Sequence, residues 1–206
     1  MLRTAEPQSK EPAPLEQRPS KALPLVLHRL SEERRNDILD LGAALGGNVR
    51  FLSRWPCRLH IADLFSTLLN ETPESLEDPE ANFSRLCGGA LDLAQGEVFD
   101  LILAWDLFDY LRLDQIRALA DLLTPHCREA TQLFALTSYH KQIPARPGTY
   151  EILSQESLRY IPAGVAVKTS PQRKEPDLQR ALAGFEVEQS FLLRHGQHEY
   201  LFAAHG

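Results

Sequence analysis

The sequence predicts an α/β fold built on a doubly wound, mostly parallel sheet that ends in one antiparallel C-terminal strand. Three observations carry this. Short apolar runs alternate with stretches of helical periodicity. The run Val98-Phe99-Asp100-Leu101-Ile102-Leu103-Ala104-Trp105 is almost continuously apolar, as in a central strand covered on both faces. The chain closes on a strand, turn, strand pattern, with Phe185–Leu193 and Glu199–Ala204 flanking Arg194-His195-Gly196-Gln197-His198.

The elements follow in order. Residues 1–22 hold Pro7, Pro12, Pro14 and Pro19 among Lys, Glu, Gln and Ser, with almost nothing apolar. They read as a disordered tail, and residues 23–206 as one domain. Leu23–Leu30 leads into a short helix. Asp37–Leu41 is a short apolar run broken at Gly42, hence a buried strand, and Gly46–Arg54 is a helix stopped by Pro56. Arg58–Ala62 is a second strand ending at Asp63, and Leu64–Asn70 a helix. Glu71–Pro79 is an acidic, proline-marked loop. Phe83–Cys87 reads as a short strand or helical turn before Gly88-Gly89.

Beyond the central strand, Leu113, Ile116, Leu119, Ala120 and Leu123 recur at helical spacing, with Asp114 as a candidate cap and Pro125 past the end. Thr131–Thr137 is a strand. Tyr139 to about Arg173 reads as irregular, with a short helix over Ser154–Tyr160. Pro176–Ala183 is a helix with proline in its first turn and Gly184 after it.

Composition narrows the function. Of 206 residues, 43% are hydrophobic and 24% charged, which suits a globular domain. No run of about 18 apolar residues exists to span a membrane. The N-terminus lacks an apolar signal core, and Cys57, Cys87 and Cys127 make neither a disulfide framework nor a Cys-x-x-Cys pair, so a cytoplasmic setting is expected. A net charge of −6 disfavours broad nucleic-acid binding. The arginines at 29, 34, 35, 50 and 54 alternate with acids and read as a solvated mixed-charge face.

The chemistry concentrates in Ile38-Leu39-Asp40-Leu41-Gly42-Ala43-Ala44-Leu45-Gly46. A strand delivers an acid, then a small-residue turn, then a helix N-terminus. In open α/β sheets ligands bind beyond such strand ends, and small residues let a ligand approach the backbone. Asp63 follows Gly42 by about 21 residues, at the tip of the next strand, where a carboxylate accepts hydrogen bonds from ribose hydroxyls.

At this point the sequence resembles the class I S-adenosylmethionine-dependent methyltransferases, a Rossmann-like family. Its first motif, acidic-x-Gly-x-Gly-x-Gly, stands here as Asp40-x-Gly42-x-Ala44-x-Gly46. The resemblance extends in order of elements over about residues 37–204. It implies a seven-stranded sheet and S-adenosylmethionine as cofactor. It also implies that the backbone from Gly42 through Ala44 to Gly46 faces the methionine part, with Asp40 near its ammonium. Asp63 would hold the ribose and Leu64 would pack on adenine. The Gly88-Gly89-Ala90-Leu91 segment would lie by the adenine amino group, and Trp105 beside the sulfonium. Ala44 and Gly89 depart from the family pattern; the hydrogen bond of the adenine-binding acid then comes from elsewhere, with Asp92 as the candidate, or is absent.

Three functions remain open on the sequence. The first is a methyltransferase acting on a small molecule or protein, with His140 as general base and Asp106 beside it in the acceptor loops, near Asp109, Tyr110 and Tyr139. The second is a catalytically inactive methyltransferase-like interaction module, its tail a possible tether for a protein partner. The third, weaker, is an NAD-dependent oxidoreductase, since Gly42-x-Ala44-x-x-Gly47 nearly fits a dinucleotide turn. Asp40 argues against it, because a carboxylate there repels a pyrophosphate. No metal site is expected from His195-Gly196-Gln197-His198-Glu199, which offers too few ligands.

Overall fold

The computed structural model describes residues 16–69 and 79–205. The central sheet has six strands among them: β2 (Asn36–Asp40), β3 (Cys57–Ile61), β4 (Leu101–Trp105), β5 (Gln132–Ser138), β10 (Phe185–Leu192) and β11 (Gln197–Ala204). Their order is β10-β11-β5-β4-β2-β3. The pairs β2–β3, β2–β4 and β4–β5 are parallel, while β11 is antiparallel to both β5 and β10. The sheet is therefore mixed. It is one strand narrower than the resemblance implies, with β3 at one edge and β10 at the other.

Period-two alternation splits the core. Leu39, Ile102, Leu133 and Phe202 point to one face, and Ile38, Leu101, Leu103, Phe134 and Leu201 to the other. The first face is covered by α3 (Leu64–Leu69), α4 (Pro79–Leu91), α5 (Leu113–Leu123) and α6 (Glu175–Ala181). The second is covered by α1 (Ala22–His28), α2 (Gly46–Leu52) and a small antiparallel sheet. Every residue of β4 is buried, as its unbroken apolar run requires. In α5 the side chain of Gln115 accepts from the Arg112 N–H (2.9 Å), so the helix is capped from Arg112, not Asp114.

Two further expectations are corrected. Residues 16–22 do not belong to a disordered tail. Glu16–Pro19 forms β1, Ser20 Oγ accepts the Leu23 N–H (3.1 Å), and α1 starts at Ala22. Residues 1–15 lie outside the described residues. The buried carboxylate of Glu199 holds this entry, with Oε2 accepting the N–H groups of Lys21 (2.7 Å) and Ala22 (2.8 Å). No local pattern around Pro19 signals a partner almost 180 residues downstream.

Second, Ser154–Tyr160 is not helical. β7 (Thr149–Ser154) and β8 (Ser157–Ile161) form a hairpin, and β1 adds to it in the order β1-β8-β7. Burial there alternates strictly in β7 and places Tyr150, Ile152, Leu158 and Tyr160 inward. The remainder of the stretch read as irregular carries β6 (Gln142–Pro144) paired with β9 (Val167–Thr169). Of the two readings of Phe83–Cys87 the helical one holds and extends, since the segment is part of α4, which runs through both glycines to Leu91. Most of the acidic loop expected over Glu71–Pro79 lies outside the described residues.

Candidate functional site

Two strand tips and one bend make the first site. β2 ends at Asp40, which is 1% exposed. Its Oδ1 accepts the Gly42 N–H (2.9 Å), fixing the bend. Burial, and secondarily the charge of Asp63, push the Asp40 carboxyl up to about 6, against the lowering effect of its hydrogen bonds. The two acids are thus brought to one end of the sheet, as their spacing suggests. Ala44 is not among the described residues with positive φ, so its methyl group is accommodated. Gly46 opens α2 with free space where a Cβ would stand.

The bend itself is occupied. The indole Nε1 of Trp105 donates to Asp40 Oδ1 (2.6 Å), and the ring lies directly over Gly42. A Cβ on Gly42 would meet Trp105 Cδ1 at 2.7 Å. The open face that a ligand would use is therefore the face that receives the indole. Trp105 stands at φ +49°, strained for a bulky residue, where β4 breaks its register with β5. Tyr150 from β7 stacks on it (5.8 Å, 2°), and Phe134 meets it edge-on (6.0 Å, 87°). The space left among Gly42, Ala43, Leu45, Phe65, Trp105 and Gly148 is about 10 Å³, scarcely enough for one water. In this arrangement the residues present do not fit S-adenosylmethionine.

The other expected cofactor contacts are likewise committed to the fold. Asp63, itself at φ +40°, caps α3 by accepting the Ser66 N–H (3.2 Å) and hydroxyl (2.8 Å). Leu64 is fully buried in the core and Leu91 is 2% exposed. Ala90 is partly exposed in the last turn of α4, and Asp92 terminates that helix with φ +43° and an N–H to Gly88 O (3.1 Å).

A second space lies beyond Tyr150. A cavity of about 100 Å³ opens where β4 and β5 end, walled by the β7–β8 hairpin and the turn between β10 and β11. It collects Asp106, Asp109, Tyr110 and His140 from the expected acceptor loops, and adds Arg18, Tyr150, Tyr160 and Gln197. Asp106 and Asp109 are 7% and 3% exposed. Burial, reinforced by Asp109, pushes Asp106 up to about 8, and burial pushes Asp109 up to about 7. His140 stands at the exposed rim with Nε2 against the His195 carbonyl (2.8 Å), behind Gly196 at φ +78°. That nitrogen must carry the proton as donor, so the free lone pair is on Nδ1. Tyr139 is 66% exposed and does not line the cavity.

Arg18, Tyr150 and Tyr160 were hidden from sequence reasoning because they sit in the stretches read as tail and irregular segment. The alternation of Tyr150 with Ile152, and of Leu158 with Tyr160, was the available signal. The upstream arginines are largely compensated: Arg34 pairs with Asp100 (2.8 Å), Arg35 with Asp37 (3.5 Å) and Arg29 with Glu188. Arg159 pairs with Glu151 (2.9 Å), and Arg173 Nε donates to the Phe108 carbonyl (3.1 Å).

No family model matches the chain, and no curated protein does. Solved structures do overlap it. An S-adenosylmethionine-dependent methyltransferase from Clostridium acetobutylicum shares 14% identity over 88% of this chain and 87% of its own, with TM-score 0.49. CalS10, an amino pentose methyltransferase from Micromonospora echinaspora, shares 12% over 89% and 87%, with TM-score 0.49. The N-methyltransferase NodS from Bradyrhizobium japonicum shares 13% over 90% and 95%, with TM-score 0.48. The fold itself is read from the strand order. Four parallel strands, a bend after β2, and a terminal hairpin that inserts β11 antiparallel beside β5 make a methyltransferase-like α/β fold of class I type.

Proposed function

We propose that this chain is a methyltransferase-fold protein whose cofactor bend is closed by its own aromatic side chains, and which works as a binding module in the state described. One observation carries this reading: the Trp105 indole fills the space over Gly42 and takes the Asp40 carboxylate as its partner (2.6 Å). S-adenosylmethionine is the cofactor that the fold implies, and its methionine part has no room over Gly42 beneath the stacked Trp105–Tyr150 pair.

A second reading is favoured by a different observation. Asp40, Gly42 and Asp63 stand at the strand tips where the family motif places them, and Gly46 faces open space. If Trp105 swings off Gly42, relieving its positive φ, the chain becomes an S-adenosylmethionine-dependent methyltransferase for a small-molecule or protein acceptor. Asp40 and Asp63 would then hold the ammonium and ribose, and His140 or Asp106 would face the acceptor. A nicotinamide cofactor is disfavoured, because Asp40 stands under the place of a pyrophosphate. Among the described residues no helix is long and apolar enough to cross a membrane. A cytoplasmic setting and a protein partner for the N-terminal segment belong to the same proposal.

Calorimetric titration with S-adenosylmethionine, S-adenosylhomocysteine and NAD separates these readings. The module reading expects no saturable heat from any of them with the native chain. Binding of the first two, lost in Asp63→Ala, replaces it with the enzyme. Binding of NAD alone overturns both.

A further inference from the structure

The cavity beyond Tyr150 has unmet chemistry. Seven buried side-chain polar atoms lack a hydrogen-bond partner among the described residues, and five belong to residues lining this one space: Arg18 Nε, Asp106 Oδ1, Asp109 Oδ1, Tyr160 Oη and Gln197 Nε2. Buried polar groups are almost always paired, so five orphans around one space mark a place where a partner belongs. At about 100 Å³ the space admits several waters or one small organic molecule.

The orphans divide by type. Asp106 and Asp109 each present one unused carboxyl oxygen. The second oxygen of Asp109 accepts the Ser138 N–H (2.7 Å), and that of Asp106 accepts from the Tyr150 hydroxyl (3.4 Å). Neither acid forms an ion pair among the described residues, and the charges of Arg173 and Lys168 on Asp109 and of Arg18 on Asp106 offset their burial only in part. This end of the cavity therefore calls for a donor, and most strongly for a cation, which would offset the burial of two adjacent acids. Arg18 Nε and Gln197 Nε2 call for the opposite, an oxygen that accepts. The guanidinium of Arg18 is otherwise engaged: Nη2 donates to Glu16 (2.7 Å), Nη1 reaches the Tyr150 hydroxyl (3.5 Å), and its carbon lies 4.2 Å from the Tyr160 ring centre. Its charge is thus largely balanced, and what remains free is one directional N–H.

We propose that this cavity is a binding site for a small aliphatic amine that also carries a hydroxyl or carboxylate oxygen. The amine is held by Asp106 and Asp109, and the oxygen by Arg18 and Gln197. The buried acids, held near pH 8 and 7 by desolvation, ionise when an ammonium arrives between them. The site does not depend on the bend opening, because Tyr150 walls the cavity and Trp105 lies on the bend side of that ring. The N-terminal strand β1 is part of the site through Arg18.

Ethanolamine and glycine are the probes, with ethylene glycol and acetate as their amine-free controls, titrated into the full chain by calorimetry and by NMR. Saturable binding of either amine, at least tenfold tighter than its control, is expected. The one that binds reports whether the oxygen end is a hydroxyl or a carboxylate. Asp109→Asn keeps an acceptor for the Ser138 N–H and is expected to weaken the amine at least tenfold. Gln197→Leu is expected to weaken it by a smaller factor. Should both variants unfold, the preference of the native chain for either amine over its own amine-free control decides alone. No saturable binding of either amine at concentrations on the order of 10 mM, or equal binding of the controls, shows a space filled by water only and overturns the proposal. Neither outcome turns on S-adenosylmethionine.

Discussion

Trp105 reaches from the tip of β4 across the bend at Gly42 and donates its indole N–H to Asp40 at the tip of β2, at 2.6 Å. The indole covers the backbone that small residues leave open and supplies the carboxylate with a neutral donor. A single side chain thereby joins two adjacent parallel strands and closes the space between bend and hairpin.

Trp105→Phe keeps an aromatic ring, though a smaller one, and deletes the donor. Asp40 then retains only the Gly42 N–H in a buried site, and the loss of stability is expected at about 1–3 kcal/mol. Urea unfolding of Trp105→Phe, Asp40→Asn and the double variant should give a coupling energy above about 0.5 kcal/mol. Independent, additive effects would show that the contact is not made in solution.

Gly42→Ala tests the occupancy of the bend. The new methyl group meets the indole at 2.7 Å. Overpacking of this kind costs about 1–3 kcal/mol, read as a lower urea midpoint together with altered tryptophan fluorescence. A variant as stable as the native chain would mean that the indole does not rest there.

Asp40, Asp106 and Asp109 have carboxyls raised to about 6, 8 and 7 from an ordinary value near 4. Each retains its proton in the folded state where the unfolded chain has lost it. Their contribution is complete below pH 4 and declines as pH rises through 6 to 8, at about 1.4 kcal/mol per pH unit for each proton retained. His198, lowered by burial, works in the opposite sense below its ordinary value near 6.5. Unfolding free energy is therefore expected to fall between pH 4 and 8, and Asp106→Asn and Asp109→Asn should each flatten the decline. Stability rising across that window would contradict the burial of these acids.

Glu199 is wholly buried and its carboxylate caps the entry to α1. Glu199→Ala leaves the Lys21 and Ala22 N–H groups without that acceptor, at a cost of about 2–4 kcal/mol. Hydrogen exchange should show the loss locally, as faster exchange in β1 and α1. Unchanged protection there would show that the entry is held by other contacts.

The sequence by itself determined the alternation of strands and helices, the buried β4, the terminal hairpin and the bend between Asp40 and Gly46. These rest on local signals: unbroken apolar runs, helical spacing, glycine and proline boundaries. It also placed Asp40 at the end of one strand and Asp63 just past the end of the next, while the parallel pairing of β2 with β3 is what makes those ends neighbours. Only the tertiary structure decided what lies over that bend. Trp105 and Tyr150 are 45 residues apart, and whether an aromatic ring at a strand tip borders a ligand or replaces it depends on a φ angle and on a facing hairpin. The cavity was only half in reach: Asp106, Asp109, Tyr110 and His140 share the loops after β4 and β5, but Arg18, Tyr160 and Gln197 join them from three distant segments, and long-range contact leaves no mark on local periodicity.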